Sequence, residues 1–259
     1  MTATTPSRAA VDAALSRVMD PELDESITEM GFVEGVEIKG GAVTVLFRLP
    51  TYWCSPNFAF LMVEDIHAAL RPVPGVTQVD VTLLDHLYAQ EITDAVRDGR
   101  SFADAIGEDL AGDSLDEVRR TFEDKAFQRR QEAVLLDLKR QGMSDADIVA
   151  ATLGDFDGFT FEDADAKTRA PLYRELLLHK GLAKRANDPA FVTLEGAPIP
   201  PDGLWGHLQT LRQVRINMEF GGALCRGLKT HRYKEATRQD GKLTLVDFLP
   251  EASVREPQS

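Results

Sequence analysis

Residues 33–70 read VEGVEIKGGAVTVLFRLPTYWCSPNFAFLMVEDIHAAL, and the period of the apolar residues changes once along this stretch. Val33 to Lys39 and Val43 to Leu49 alternate with period two, which puts Val43, Val45, Phe47 and Leu49 on one face of a strand. Gly40-Gly41 between them is a hairpin turn signal, so the two strands are antiparallel. From Pro56 to Leu70 the spacing becomes helical, with Phe58, Leu61, Met62, Ile66, Ala69 and Leu70 on a core-facing stripe and Pro56 in the first turn.

Upstream, Ala9 to Met19 has helical spacing through Val11, Leu15 and Val18, and Asp20-Pro21 ends it, because the residue before a proline is pushed out of the helical region. Downstream, Gly75 closes a connection and Val79, Val81 and Leu83 alternate as a third strand. The expected fold class is α+β: an α-β-β-α-β domain over residues 1–87 and a mainly helical extension over residues 88–259. In that extension Ser114 and Glu117 fit a capping box that opens a long helix ending near Gly142. Further helices are expected from Ser144 to Leu153, stopped at Gly154, from Asp165 to Lys180, stopped at Gly181, and along Leu204 to Met218. Strands are expected at Ala190 to Leu194 and Lys242 to Leu249, and fraying after Pro250.

The chain has 259 residues and a formal charge of -13, with hydrophobic and charged fractions of 43% and 27% that suit a globular protein. That charge disfavours nucleic acid, although the last third is mildly basic. The N-terminus has no basic or apolar leader pattern and no apolar run approaches membrane-spanning length, so the expectation is a soluble cytoplasmic protein with no membrane partner. Only Cys54 and Cys225 carry thiols, too few for a disulfide framework or a four-thiolate metal site.

Cys54 lies between a strand and a helix start, where unpaired amides favour a thiolate, the form that attacks electrophiles and binds metal. Flanked by Tyr52, Trp53 and Phe58, the same residue also reads as a small buried hydrophobe. Asp20 and Glu22 bracket Pro21, where carboxylates cap a helix, take a proton from a thiol or ligate metal, or simply form a solvated turn. His67 on the helix and His86 after the third strand either approach the same loop or are ordinary surface or hydrogen-bonded histidines. Asp155-Phe156-Asp157-Gly158 resembles a calcium loop only superficially. There is no Walker loop, no Gly-x-Gly-x-x-Gly after a strand and no His-Glu-x-x-His, so no nucleotide is expected.

Asp20-Pro21-Glu22-Leu23, the Ile27/Gly31/Val33 spacing, Thr51 and Cys54 after the second strand, and Gly75-Val76 before Val79 and Val81 together resemble the iron–sulfur cluster assembly-factor domain. That family includes cytosolic cluster-targeting subunits, bacterial assembly accessory proteins and the maturation factor associated with phenylacetyl-CoA epoxygenase. The resemblance covers about a third of the chain. It implies that Cys54 is the reactive cysteine and that Asp20 and Glu22 form the acidic loop beside it; Thr51, in the same motif, and His86, after the third strand, are candidate accessory residues. The family usually has glycine before the cysteine and proline directly after it, where this chain has Trp53-Cys54-Ser55-Pro56.

The resemblance further implies a non-enzymatic maturation factor that assists iron or iron–sulfur insertion into a client metalloprotein, an oxygenase by analogy, with a client or an assembly scaffold as partner. One thiolate is short of the four ligands a cluster generally needs, so iron or a cluster is expected only transiently, or bridging a homodimer. The rival readings are a docking adapter without metal chemistry and an enzyme with Cys54 as nucleophile.

Overall fold

The computed structural model describes residues 5–108, 114–234, 238–239 and 242–243, with side chains as far as residue 229. The architecture is α+β and divides into two compact units. The first comprises Met1–Asp20, Glu25–Gly112 and Gly221–Ser259; the second comprises Pro21–Asp24 and Asp113–Phe220.

The first unit opens with α1 (Arg8–Leu15), whose N-cap Ser7 accepts a hydrogen bond from the Ala10 amide. The helix stops at Leu15 and not at Met19 as the spacing predicts. Met19 and Asp20 form β1 instead, paired antiparallel with β2 (Glu25–Ser26). Pro21 is the reason: it holds Asp20 extended, and the extended segment finds a ladder partner.

β3 (Val33–Lys39) and β4 (Ala42–Arg48) form the predicted hairpin, with a register shift between Val33 and Gly35. The turn suits glycine at both positions, for different reasons. Gly40 has φ +61°, and a Cβ on Gly41 would stand 2.4 Å from Thr77 Oγ1 and 3.0 Å from the Gly75 carbonyl. α2 (Pro56–Leu70) then crosses over to β5 (Gln78–Leu84), which pairs parallel with β4, giving the sheet order β3-β4-β5. Val43, Val45 and Phe47 are fully buried, while Leu46 between them is exposed, as period two demands. Each buried side chain of this kind contributes roughly 1.5–3 kcal/mol. α3 (Ala89–Asp98) packs on α2 and β5, and α4 (Phe102–Ile106) packs on α3.

The second unit is helical. α5 (Leu115–Arg140) starts where the predicted cap places it, with the Ser114 hydroxyl accepting from the Glu117 amide. The short helix expected to run to Leu153 is two helices, α6 (Asp145–Ala150) and α7 (Leu153–Phe156). Thr152 breaks the run because its side chain caps α7 in a reciprocal box with Asp155, so Gly154 lies inside a helix and stops none. α8 (Ala164–His179) follows, capped by Asp163. The strand expected at Ala190 to Leu194 is reduced to two isolated bridges, Thr152 with Pro189 and Val192 with Pro198. Both partners are prolines, which have no amide hydrogen to extend a ladder.

A 3-10 turn (Pro201–Gly203) leads into α9 (Leu204–Lys234), which runs sixteen residues past the predicted stripe. Its first half to Phe220 belongs to the second unit and its second half to the first. In that second half Arg226 bonds Glu25 at 2.5 Å and the Lys229 ammonium bonds the Met30 and Gly31 carbonyls. The last strands are β6 (Arg238–Gln239) and β7 (Lys242–Leu243). The rest of the expected Lys242 to Leu249 strand, and the tail after Pro250, lie outside the described residues.

The core of the second unit is one apolar cluster in which Phe127, Tyr173 and Phe191 are fully buried. Tyr173 donates to the Ala190 carbonyl at 2.7 Å and accepts from Gln131, while burial pushes its phenol above the usual range. Asp24, buried and at φ +52°, receives Arg130 through Nε and Nη2 and Arg169 through Nη1, at 2.5–3.1 Å.

Candidate functional site

Parallel pairing of β4 and β5 fixes where the candidate residues go. The last register pair is Arg48 with Leu84, so both strands leave the sheet side by side. In open α/β sheets this carboxyl end is where ligands bind. β4 continues into Thr51-Tyr52-Trp53-Cys54, and β5 continues into Asp85-His86.

Residues 51–54 form a turn closed by the Cys54 amide donating to the Thr51 carbonyl at 3.4 Å. The Thr51 hydroxyl, buried, is 3.1 Å from Cys54 Sγ. Either atom can donate; with the sulfur deprotonated, the hydroxyl is the donor. His86 secures the turn from the other strand. Its Nδ1 accepts from the Tyr88 amide at 3.1 Å, so in the neutral ring the proton sits on Nε2, which donates to the Cys54 carbonyl at 2.9 Å. The Leu87 amide adds a bond to the Tyr52 carbonyl at 3.0 Å. Behind His86, Asp85 adopts φ +49°, uncommon for a residue with a Cβ, and pairs with Arg48, which also reaches Glu34 at 2.8 Å. Thr51, Cys54 and His86 are thus one hydrogen-bonded group, with Arg48 and Asp85 behind it.

Cys54 is half-buried and reduced. Trp53 does not seal it in, because the indole is 58% exposed and stands edge-on to the exposed Tyr52 ring at 4.6 Å. Ser55 takes the N-cap position of α2, which leaves Pro56 at the first helical position despite the residue inserted after the cysteine. The Ser55 hydroxyl makes no capping bond.

Asp20 is buried on β1, a strand that packs against α2, and Glu22 is exposed in the turn after it. His67 lies near the other end of α2, roughly 16 Å along the axis from its start. It is buried, and desolvation, helped by Arg71 and opposed by Asp80, lowers its pKa. Cys225 is half-buried on α9. Among the described residues no three His, Cys, Asp or Glu side chains are gathered as a metal-binding group, and no helix is long and apolar enough to cross a membrane. The anchoring of the cysteine turn by His86, and the Arg48–Asp85 clamp behind it, are missed by sequence reasoning. Their only signal is the shared end of two parallel strands, which requires the register to be known.

Residues 8–81 match the family described as iron–sulfur cluster assembly protein. An iron–sulfur cluster carrier protein of Synechocystis sp. is 40% identical over 72 residues, which is 28% of this chain and 20% of its own length. An iron–sulfur cluster carrier protein of Mycobacterium leprae is 36% identical over 77 residues, 29% of this chain and 20% of its own. The chain therefore spans about a fifth of the length of these curated relatives. No solved structure matches it.

Proposed function

We propose, from the iron–sulfur cluster assembly domain that residues 8–81 form, that this chain carries iron or an iron–sulfur cluster to a client metalloprotein. The cargo is held at Cys54. The observation that carries the reading is the turn itself: a half-exposed thiol, hydrogen-bonded to Thr51, fixed by His86 and set just before the first turn of α2. Iron is bound by a cysteine through its sulfur as the thiolate. Thr51 orients the sulfur and His86 orients the backbone that carries it; Asp20 and Glu22 enter this reading only as the match to the family's acidic loop.

One thiolate fills one of the four positions a cluster generally requires. The remaining ligands come from a second copy of the chain or from the client, which makes the holding transient and the release directional. In this reading the sulfur–iron bond forms on loading and gives way to the client's ligands on handover, so the role is carriage. In this reading residues 1–87 handle the cargo and residues 88–259 recognise the client, for which a metal-dependent oxygenase is the class suggested by analogy.

Anaerobic reconstitution with ferrous iron and sulfide tests the reading. Wild type is expected to gain visible charge-transfer absorption and bound iron, and Cys54→Ala to lose both. Equal loading of the two proteins refutes it. A second reading, a docking adapter without metal chemistry, is favoured by the exposed Tyr52–Trp53 pair beside the cysteine. A Cys54→Ser variant that fully supports client activation would select it.

A further inference from the structure

Within the second unit a groove of about 450 Å³ lies between the C-terminal half of α5 and the first half of α9. Its floor is apolar, formed by Leu136, Leu208 and the indole of Trp205, which is 65% exposed. Its rim carries Lys139 and Arg140 on α5 and Arg212 and Arg215 on α9, of which Arg215 is already paired with Glu132 and with Glu219 at 3.0 Å. The acid in the lining, Glu132, is buried and neutralised by Arg215 at 2.9 Å. Lys139 and Arg140 are held by Asp145 and Asp163 at the surface, pairs that are worth little and exchange readily. Among the described residues Arg212 has no hydrogen-bond or ion-pair partner. This concentration of cations opposes the charge of a chain that is -13 overall.

We infer that the groove docks an acidic peptide segment of a partner protein, one that carries an aromatic or leucine anchor between its carboxylates. The anchor lies on Trp205 and Leu208, and the carboxylates pair with Arg212 and displace the surface acids from Lys139 and Arg140. The length of the surface favours a peptide over a small anion. Trp205, Gln209, Arg212, Ile216 and Phe220 follow one another at steps of three and four along one face of α9, and Ile216 and Phe220 are exposed. From Trp205 to Phe220 that face extends roughly 22 Å, the reach of about seven extended residues. A second copy of the chain would set this cationic rim against itself, and nucleic acid would meet the repulsion of the whole protein.

The inference rests on the reading that the helical region recognises the client, but its test needs no iron. A phage-displayed random dodecapeptide library is panned on the full-length protein, and the recovered peptides are labelled and titrated by fluorescence anisotropy. The expected pool is enriched in Asp and Glu with one or two aromatic or leucine residues. Trp205→Ala and Arg212→Glu, both at exposed positions, are each expected to weaken binding at least tenfold with unchanged circular dichroism. Raising the salt from 50 to 300 mM, roughly halving the screening length, is expected to weaken binding several-fold. A pool without acidic bias, no enrichment, affinities within twofold of wild type in both variants, or displacement by oligo-dT at equal concentration would each overturn the inference. Arg212→Glu should still load iron as wild type does. If Cys54→Ala also loads normally, the carriage reading falls while the docking result stands.

Discussion

Replacing His86 by alanine removes a side chain that spans from the end of β5 to the turn that holds Cys54. His86 is 8% exposed and hydrogen-bonds to the Cys54 carbonyl at 2.9 Å and from the Tyr88 amide at 3.1 Å. Stripping both leaves a part-buried acceptor and a part-buried donor, each worth about 1–3 kcal/mol when fully desolvated. Cys54 and Tyr88 are only half-buried, so water recovers part of this, and the net loss is expected at about 1.5–3 kcal/mol. Urea unfolding followed by far-UV circular dichroism should show a lower midpoint with the slope unchanged. The local effect is separable from the global one: with the turn released, the rate at which iodoacetamide alkylates Cys54 under native conditions should change several-fold, and His86→Gln, which keeps a donor, should fall between. A stability loss below about 0.5 kcal/mol together with an unchanged alkylation rate would refute the claim that His86 holds the turn.

Asp24→Asn should cost about 3–5 kcal/mol in chemical denaturation, because it leaves Arg130 and Arg169 facing a neutral amide in a site where the aspartate side chain is 1% exposed; a loss under about 1 kcal/mol would show that the arginines find other partners. Gly41→Ala should destabilise by about 1–3 kcal/mol, since its Cβ meets Thr77 and the Gly75 carbonyl, whereas Gly40→Asn, at a left-handed turn position open to solvent, should cost less than about 1 kcal/mol; thermal melts decide whether the order holds. Burial lowers the pKa of both His67 and His207, so the unfolded chain binds more protons than the folded one just below the ordinary histidine value of 6.5. Stability is therefore complete above that value and falls as the pH drops through it, and melts taken from pH 7.5 to 5.5 should show a decline that His67→Asn flattens.

The period of the residues made the first domain legible. Val43, Val45 and Phe47 alternate so cleanly that only one face can be buried, and Pro56 marks the first helical position after the strand exit. Where local signals competed, periodicity was not enough. Thr152 is a better helix start than Gly154 is a stop, and an extended run flanked by Pro189 and Pro198 has no donors at those positions with which to build a ladder. At the site, Cys54 could be singled out because its position depends on chain-local punctuation. The anchoring of its turn could not, because a bond between residues 54 and 86 follows from the parallel register of β4 with β5, which no single segment encodes. Asp24 was invisible for a similar reason, since its two arginines lie 106 and 145 positions away.

The thirty-two positions between Cys54 and its fastening at His86 also govern when the thiol takes shape during synthesis. A ribosome that has released residue 70 has made the helix beside the sulfur but not the strand that ties the sulfur down. Until β5 has emerged and been laid against β4, a nascent chain presents an unshaped thiol. Maturity of the cysteine turn is thus tied to completion of the whole domain, and under the proposed function that order would guard against premature loading through topology alone.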